Sequence, residues 1–362
     1  MMSFKLTGTK VMFIRNCHKT AYSGMQVYQT RKVDTENVPG KAGQKILYIC
    51  YVVLEYLIMI EEMLRPLVCE RFLNDGRYRE GHIRIINALP GVRIMGLHLP
   101  DMKKLARELA GREDALEIIA GFEHGVHTLY YEEKLVWGTM LNTLKLPVEE
   151  RFRLLRTFVP HIDNWAVCDT FCCSAKWVDV PGKTVRKGKL PSWKCSREEL
   201  WDFLKPYFGS DREFEVRFAV IMSMCYLLDR EWLPEIFAEF DALDFNGIHS
   251  EYISAKQAKA MKNRSNCGPD DASGVYRTDC GPDGVSEPSC TADCNGLQKG
   301  IALGEPPYYV RMGVAWFLAT ALAKFPDEAR KYVAVSRLPE DVIRLYVRKA
   351  RESFRTRDVS PF

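Results

Sequence analysis

Val216-Arg217-Phe218-Ala219-Val220 and Val310-Arg311-Met312-Gly313-Val314 have the same shape, an arginine set among apolar residues with branched side chains four positions apart. Residues three and four apart share one face of a helix, so each stretch reads as a largely buried helix. Each follows a short amphipathic segment rich in Leu, Phe and Glu, such as Leu200 to Tyr207 or Leu233 to Phe240. Discounting an insertion between the copies, their spacing is close to the roughly 40–47 residues of a HEAT-type unit. A repeat of this kind buries its apolar stripe only against its neighbours, which predicts an all-α, HEAT-like solenoid: stacked helix pairs forming a curved superhelix.

The same periodicity extends in both directions. Apolar residues recur at three and four from Lys45 onward, and the spacing predicts helices over 46–73, 101–110, 114–121, 131–144, 148–158, 163–177, 197–208, 212–229, 231–243, 307–324, 326–334 and 339–354. Start and stop signals bound them: Gly111 after one helix, Pro147 and Pro326 at starts, and Ser196 with Glu199 as a capping box. Residues 1–44 are polar, punctuated by Pro39, Gly40 and Gly43, and read as a poorly ordered extension to a repeat domain spanning 45–362. The repeat domain is interrupted at about 247–304, where Gly, Pro, Ser, Asp and Cys crowd together and Cys-Gly-Pro-Asp occurs at 267 and 280. That composition buries too little surface to fold alone.

Composition excludes several classes. Ile46 to Val68 is the most apolar stretch, but Glu55, Glu61, Glu62 and Arg65 interrupt it, which disfavours a membrane span. Twelve cysteines are scattered, many through apolar segments, which fits reduced, buried thiols and a cytoplasmic setting. Cys267, Cys280, Cys290 and Cys294 lack paired Cys-x-x-Cys spacing, and no metal site is assigned. No Gly-rich phosphate loop, Gly-x-Ser-x-Gly or His-Glu-x-x-His occurs, and no organic cofactor is expected.

What remains is charge and aromatics. Trp165 and Asp169 lie four apart, so an indole and a carboxylate share a helix face, an arrangement suited to stabilising a positive charge. Lys183, Arg186, Lys187, Lys189 and Lys194 fall within twelve residues without an acid, and Arg344, Arg348, Lys349, Arg351, Arg355 and Arg357 crowd the last helix and tail. Such clusters suit a phosphate backbone, although solvated basic faces look the same in sequence. Trp137, Trp177, Trp201 and Trp232 read as core, His82, His124, His127 and His161 lack ligand spacing, and Asp163 reads as an N-cap.

Several stretches, taken in order, resemble the AlkD-like DNA alkylation repair family. They are Tyr130-Tyr131-Glu132-Glu133-Lys134-Leu135, the run from Ile162 to Asp169, the run from Glu213 to Val220, and the run from Tyr308 to Trp316. Tyr78-Arg79-Glu80 with Gly96 to Pro100 resembles the N-terminal signature, and Lys349 to Arg355 the C-terminal one. The resemblance runs from about residue 65 to 357. It implies a HEAT-like solenoid whose concave face holds DNA, and in active members a glycosylase releasing cationic N3- and N7-alkylated purines from duplex DNA.

Carried onto this chain, the resemblance implies that Asp169 stabilises the oxocarbenium-like sugar, with Trp165 and Trp316 as the aromatic cleft and Arg217 holding the backbone. The motifs and the basic clusters together give DNA contacts at Tyr78, Lys134, Lys183, Arg186, Lys187, Lys189, Arg311, Arg348 and Arg351. The position two turns beyond Arg217, where the resemblance implies a lysine in some members, falls near Cys225. The expected partner is alkylated double-stranded DNA, bound by a cytoplasmic, nucleoid-associated monomer. Two other readings stay open: a non-catalytic HEAT-repeat protein that binds damaged, bent or branched DNA through phosphates, and a protein-interaction scaffold.

Overall fold

The computed structural model describes residues 2–6, 9–13, 21–22, 25–26, 56, 58–89, 91–125, 129–180, 190–250 and 307–362. They fall in two compact units, Met1–Glu55 and Tyr56–Phe362. In the first unit, β1 (Met2–Leu6) pairs antiparallel with β2 (Thr9–Phe13), and β3 (Ala21–Tyr22) with β4 (Met25–Gln26). The periodicity predicts no element there. The Cys-rich segment expected at about 247–304 lies, from residue 251, outside the described residues.

The second unit is an all-α helical repeat. Its helices are α1 (Glu70–Asn74), α2 (Gly76–Ile86), α3 (Leu99–Ala110), α4 (Ala115–Gly125), α5 (Tyr131–Thr143), α6 (Val148–Phe158) and α7 (Trp165–Cys172). They continue as α8 (Arg197–Phe208), α9 (Glu213–Tyr226), α10 (Leu233–Ala242), α11 (Tyr308–Lys324), α12 (Pro326–Val335) and α13 (Glu340–Glu352). Every second helix packs on the next but one, in the series α3, α5, α7, α9, α11, α13, so these six form one continuous layer. That is the stacking expected when neighbouring repeats share one core.

The layer's central members are apolar nearly all round. In α9 all residues from Val216 to Met224 are buried, as are Tyr309 to Ala315 of α11. Trp137, Trp177, Trp201 and Trp232 are core residues, as their sequence context implied. At the α5–α6 contact, a Cβ on Gly138 would stand 2.8 Å from the Phe158 ring, so glycine lets the two helices approach.

The predicted helix over 46–73 is broken within the described part. Pro66 and Cys69 lack helical continuity: a 3-10 turn covers Arg65–Leu67 and α1 begins only at Glu70. α2 is the element that periodicity missed. Asp75 opens it by accepting from the Tyr78 amide at 3.0 Å, and Asn87 closes it in the left-handed region at φ 53°. Only Ile86 of α2 is buried, and two glycines and three arginines dilute its apolar content, so no apolar run marks it in the sequence. The next connection is held by a buried carboxyl group: Glu132 of α5 accepts from the amides of Met95, Gly96 and Leu97 at 3.0, 2.7 and 3.4 Å. Gly96 has φ +89° and a Cβ there would fall inside the Phe72 ring, so no other residue fits.

Among the described residues no helix is long and apolar enough to cross a membrane. The expectation of buried thiols holds for Cys168, Cys172 and Cys195, whereas Cys173 is exposed.

Candidate functional site

α7 and α9 carry the site because they lie side by side in the layer. Asn164, not Asp163, caps α7: its Oδ1 accepts from the Ala166 amide at 2.7 Å, while its Nδ2 donates to the Ile86 carbonyl at 2.7 Å. Asp163 instead accepts from Lys134 Nζ at 2.5 Å. The residue was expected to be structural and is, but as an ion-pair partner.

Asp169 stands one turn after Trp165 and faces α9. Arg217 donates to it with both arms of its fork, Nε to Oδ1 at 3.1 Å and Nη2 to Oδ2 at 2.9 Å. The third arm, Nη1, donates to the Tyr309 carbonyl at 2.6 Å, and the guanidinium carbon lies 5.7 Å from the centre of the Tyr309 ring. One buried arginine thereby joins α7, α9 and α11. Burial opposes the Arg217 charge, but the charge and hydrogen bonds of Asp169 more than compensate and raise its pKa above the usual value.

This geometry corrects the role expected of Arg217. Its side chain is 4% exposed and its fork is already occupied, so it cannot reach a phosphate without leaving Asp169. It positions the carboxylate. Asp169 itself keeps 14% of its side chain exposed, and each oxygen retains acceptor capacity beyond the bond to Arg217.

The aromatic candidates lie on two elements, α7 and α11. Trp165 is half-buried and donates Nε1–H to the Ile85 carbonyl at 3.1 Å, which fixes its ring against the end of α2. Trp316 is half-buried and lies seven residues after Tyr309, on the same side of α11. No hydrogen bond links Trp316 to the Asp169–Arg217 pair among the described residues. Tyr309 is the member that sequence reasoning left unassigned. Its hydroxyl accepts from Asn87 Nδ2 at 2.7 Å and its amide donates to Glu213 Oε1 at 2.5 Å. Tyr309 sat inside a quoted motif, and an Asn ending a helix is a known left-handed cap, but pairing them needs the tertiary fold.

The remaining predicted contacts separate into three groups. Tyr78, on α2, is half-buried beneath the Arg71 guanidinium at 4.8 Å, two turns from Ile85 on the same helix face. Lys134 and Arg311 are corrected: Lys134 is buried against Asp163, and Arg311 is buried, paired with Asp341 and stacked at 5.5 Å over Phe245. Neither presents a cation to a ligand. Arg348 and Arg351 are exposed on α13, where Arg348 Nε meets Glu352 at 3.4 Å. Lys183, Arg186, Lys187 and Lys189 lie outside the described residues. Among the described residues no cluster of His, Cys, Asp and Glu could hold a metal ion.

Fold and site together define a helical-repeat protein whose stacked layer carries a fork-held carboxylate beside an indole. Residues 77–226, from α2 to the end of α9, match the model of a family described as DNA alkylation repair enzyme. The match bears out the resemblance seen in the sequence and contains Tyr78, Trp165, Asp169 and Arg217, while Tyr309 and Trp316 lie beyond it. The description places the segment with enzymes that repair alkylation damage in DNA. No curated protein and no solved structure matches the chain.

Proposed function

We propose that the protein is a DNA glycosylase that releases cationic N3- and N7-alkylated purines from duplex DNA. The observation that carries the reading is the carboxylate of Asp169, held through both oxygens by Arg217 yet still open to solvent, one turn from the Trp165 indole.

An alkylated purine already bears the positive charge that makes it a leaving group. When the C1′–N glycosidic bond breaks, its electron pair departs with the base and neutralises that charge, leaving an oxocarbenium-like sugar. A fixed anion stabilises the developing cation without reorganising as the bond breaks, which is the source of its catalytic value. Water then adds to C1′, and its proton is accepted by Asp169 or by solvent. Holding the carboxylate in Arg217's fork fixes its direction; the same pairing spreads its charge, so geometry is the larger part of the arginine's contribution. Trp165 and Trp316 offer aromatic faces to the sugar and favour cationic character beside them. Because the chemistry acts on the sugar, the base need not enter a pocket.

The direct test is incubation of the purified chain with methylated duplex DNA and measurement of free 7-methylguanine. Release above the spontaneous rate is expected; binding without release would sink the glycosylase reading. One observation favours the second reading, phosphate-only binding: both Asp169 oxygens are engaged, while exposed arginines line α13. That reading expects retention of DNA with a steep salt dependence and no base release.

A further inference from the structure

α7 and α9 end together as well as lying side by side, and a pair of thiols meets where they end. Cys173 caps the C-terminus of α7, with its amide donating to the Asp169 carbonyl at 2.9 Å. Cys225 is the last residue but one of α9. Their sulfurs are 3.7 Å apart. A disulfide needs sulfurs about 2.05 Å apart, so bond formation asks for a closure of only roughly 1.7 Å, within reach of side-chain rotation at two helix ends.

The thiols of this neighbourhood are not equivalent. Cys168 and Cys172 lie within α7 and are buried, and burial pushes the Cys172 thiol well above its usual pKa. Cys173 is exposed, the only cysteine among those described that is. The hydrogen bond from Cys225 lowers the Cys173 pKa; burial and Asp169 oppose this, and Lys103 and Arg217 assist it. The same bond, together with burial, raises the Cys225 thiol. One sulfur is exposed with its pKa lowered, and the other is partly covered with its pKa raised beside it. This is the division of labour between an attacking and a resolving thiol.

We propose that Cys173 and Cys225 form a reversible modification site for low-molecular-weight disulfides, closing to an intramolecular disulfide between α7 and α9. The Cys173 thiolate attacks one sulfur of the small disulfide and expels its other half as a thiolate. Cys225 gives up its proton to solvent and attacks Cys173 Sγ, and the second half of the reagent leaves as a thiolate. The two protein thiols lose two electrons and two protons in all, and one small disulfide is reduced to two small thiols. The site does not depend on glycosylase chemistry and is read without measuring base release.

The test uses the reduced full-length chain, incubated with oxidised glutathione and analysed by peptide mass mapping. A cross-linked peptide joining residues 173 and 225 is expected, reversed by dithiothreitol. Cys225→Ser should stop at a glutathione adduct on Cys173, and Cys173→Ser should react at Cys225 at least tenfold more slowly. Three wild-type results would overturn the proposal: a persistent adduct on Cys173, a cross-link from either residue to a different cysteine, or no reaction at either. Because the decisive mapping is of the wild type, poor folding of a variant does not rescue the idea.

Discussion

Arg217 and Arg311 occupy the same place in two copies of one sequence pattern, and the fold treats them differently. Arg217 is gripped from both neighbours in the layer: two bonds to Asp169 on α7 and one to a carbonyl on α11. Arg311 pairs with Asp341 in the first turn of α13, lies over Phe245, and its buried Nε has no hydrogen-bond partner among the described residues. Accordingly the pKa of Arg217 is raised, through Asp169 and against burial, while burial lowers that of Arg311. A repeat motif thus fixes which residue is buried, and the neighbouring helix decides whether its charge is used.

The comparison can be broken by removing each guanidinium in turn. Arg217→Met strips Asp169 of its partner in a largely enclosed setting, and a loss of about 3–5 kcal/mol in urea unfolding is expected. Arg311→Met should cost only about 1 kcal/mol, because Asp341 is a third exposed, sits at a helix N-terminus and can be solvated. Equal losses would mean that the different bonding has no energetic consequence.

Glu133 sharpens the point as a buried carboxylate whose acceptor bond, 2.6 Å, comes from the neutral amide of Tyr130. Burial raises its pKa from 4.5 to about 7. The folded state therefore keeps a proton that the unfolded chain has lost between these values. The sign follows: Glu133's contribution to stability falls as pH rises from 4.5 to about 7 and is level above, by about 3 kcal/mol in all. Glu133→Gln should remove that slope, gaining on the wild type as pH rises from 5 to 8; parallel stability profiles would contradict it.

The smallest effect is expected at Asn87. Replacement by glycine preserves the left-handed cap and removes only the bond to the Tyr309 hydroxyl, for about 1 kcal/mol. Replacement by alanine adds backbone strain of a further 1 kcal/mol or so. Thermal melts of the two variants separate those terms.

The layered helices were legible in sequence because burial there coincides with long apolar runs: α9 and α11 are apolar around most of their circumference, and the Ser196–Glu199 box lies where its spacing put it. α2 was not, since it buries one residue and owes its ends to Asp75 and Asn87. At the site, the motif spacing singled out Asp169, Trp165 and Arg217, but their geometry was hidden. Spacing along a chain cannot reveal that Arg217 turns inward to Asp169, or that Lys134 and Arg311 bury their charge against Asp163 and Asp341. Those partners stand 48, 29 and 30 positions away, and only the stacking of helices joins them.

The central claim is that a fork-held carboxylate drives departure of an alkylated base, and single-turnover release of 7-methylguanine from methylated duplex DNA by wild type and Asp169→Asn tests it most directly. The asparagine retains size and an acceptor for Arg217 but loses the anion. A fall in the release rate on the order of 10²-fold or more, with DNA binding and the thermal melt retained, is the predicted result. Release by the variant at the wild-type rate would contradict the account.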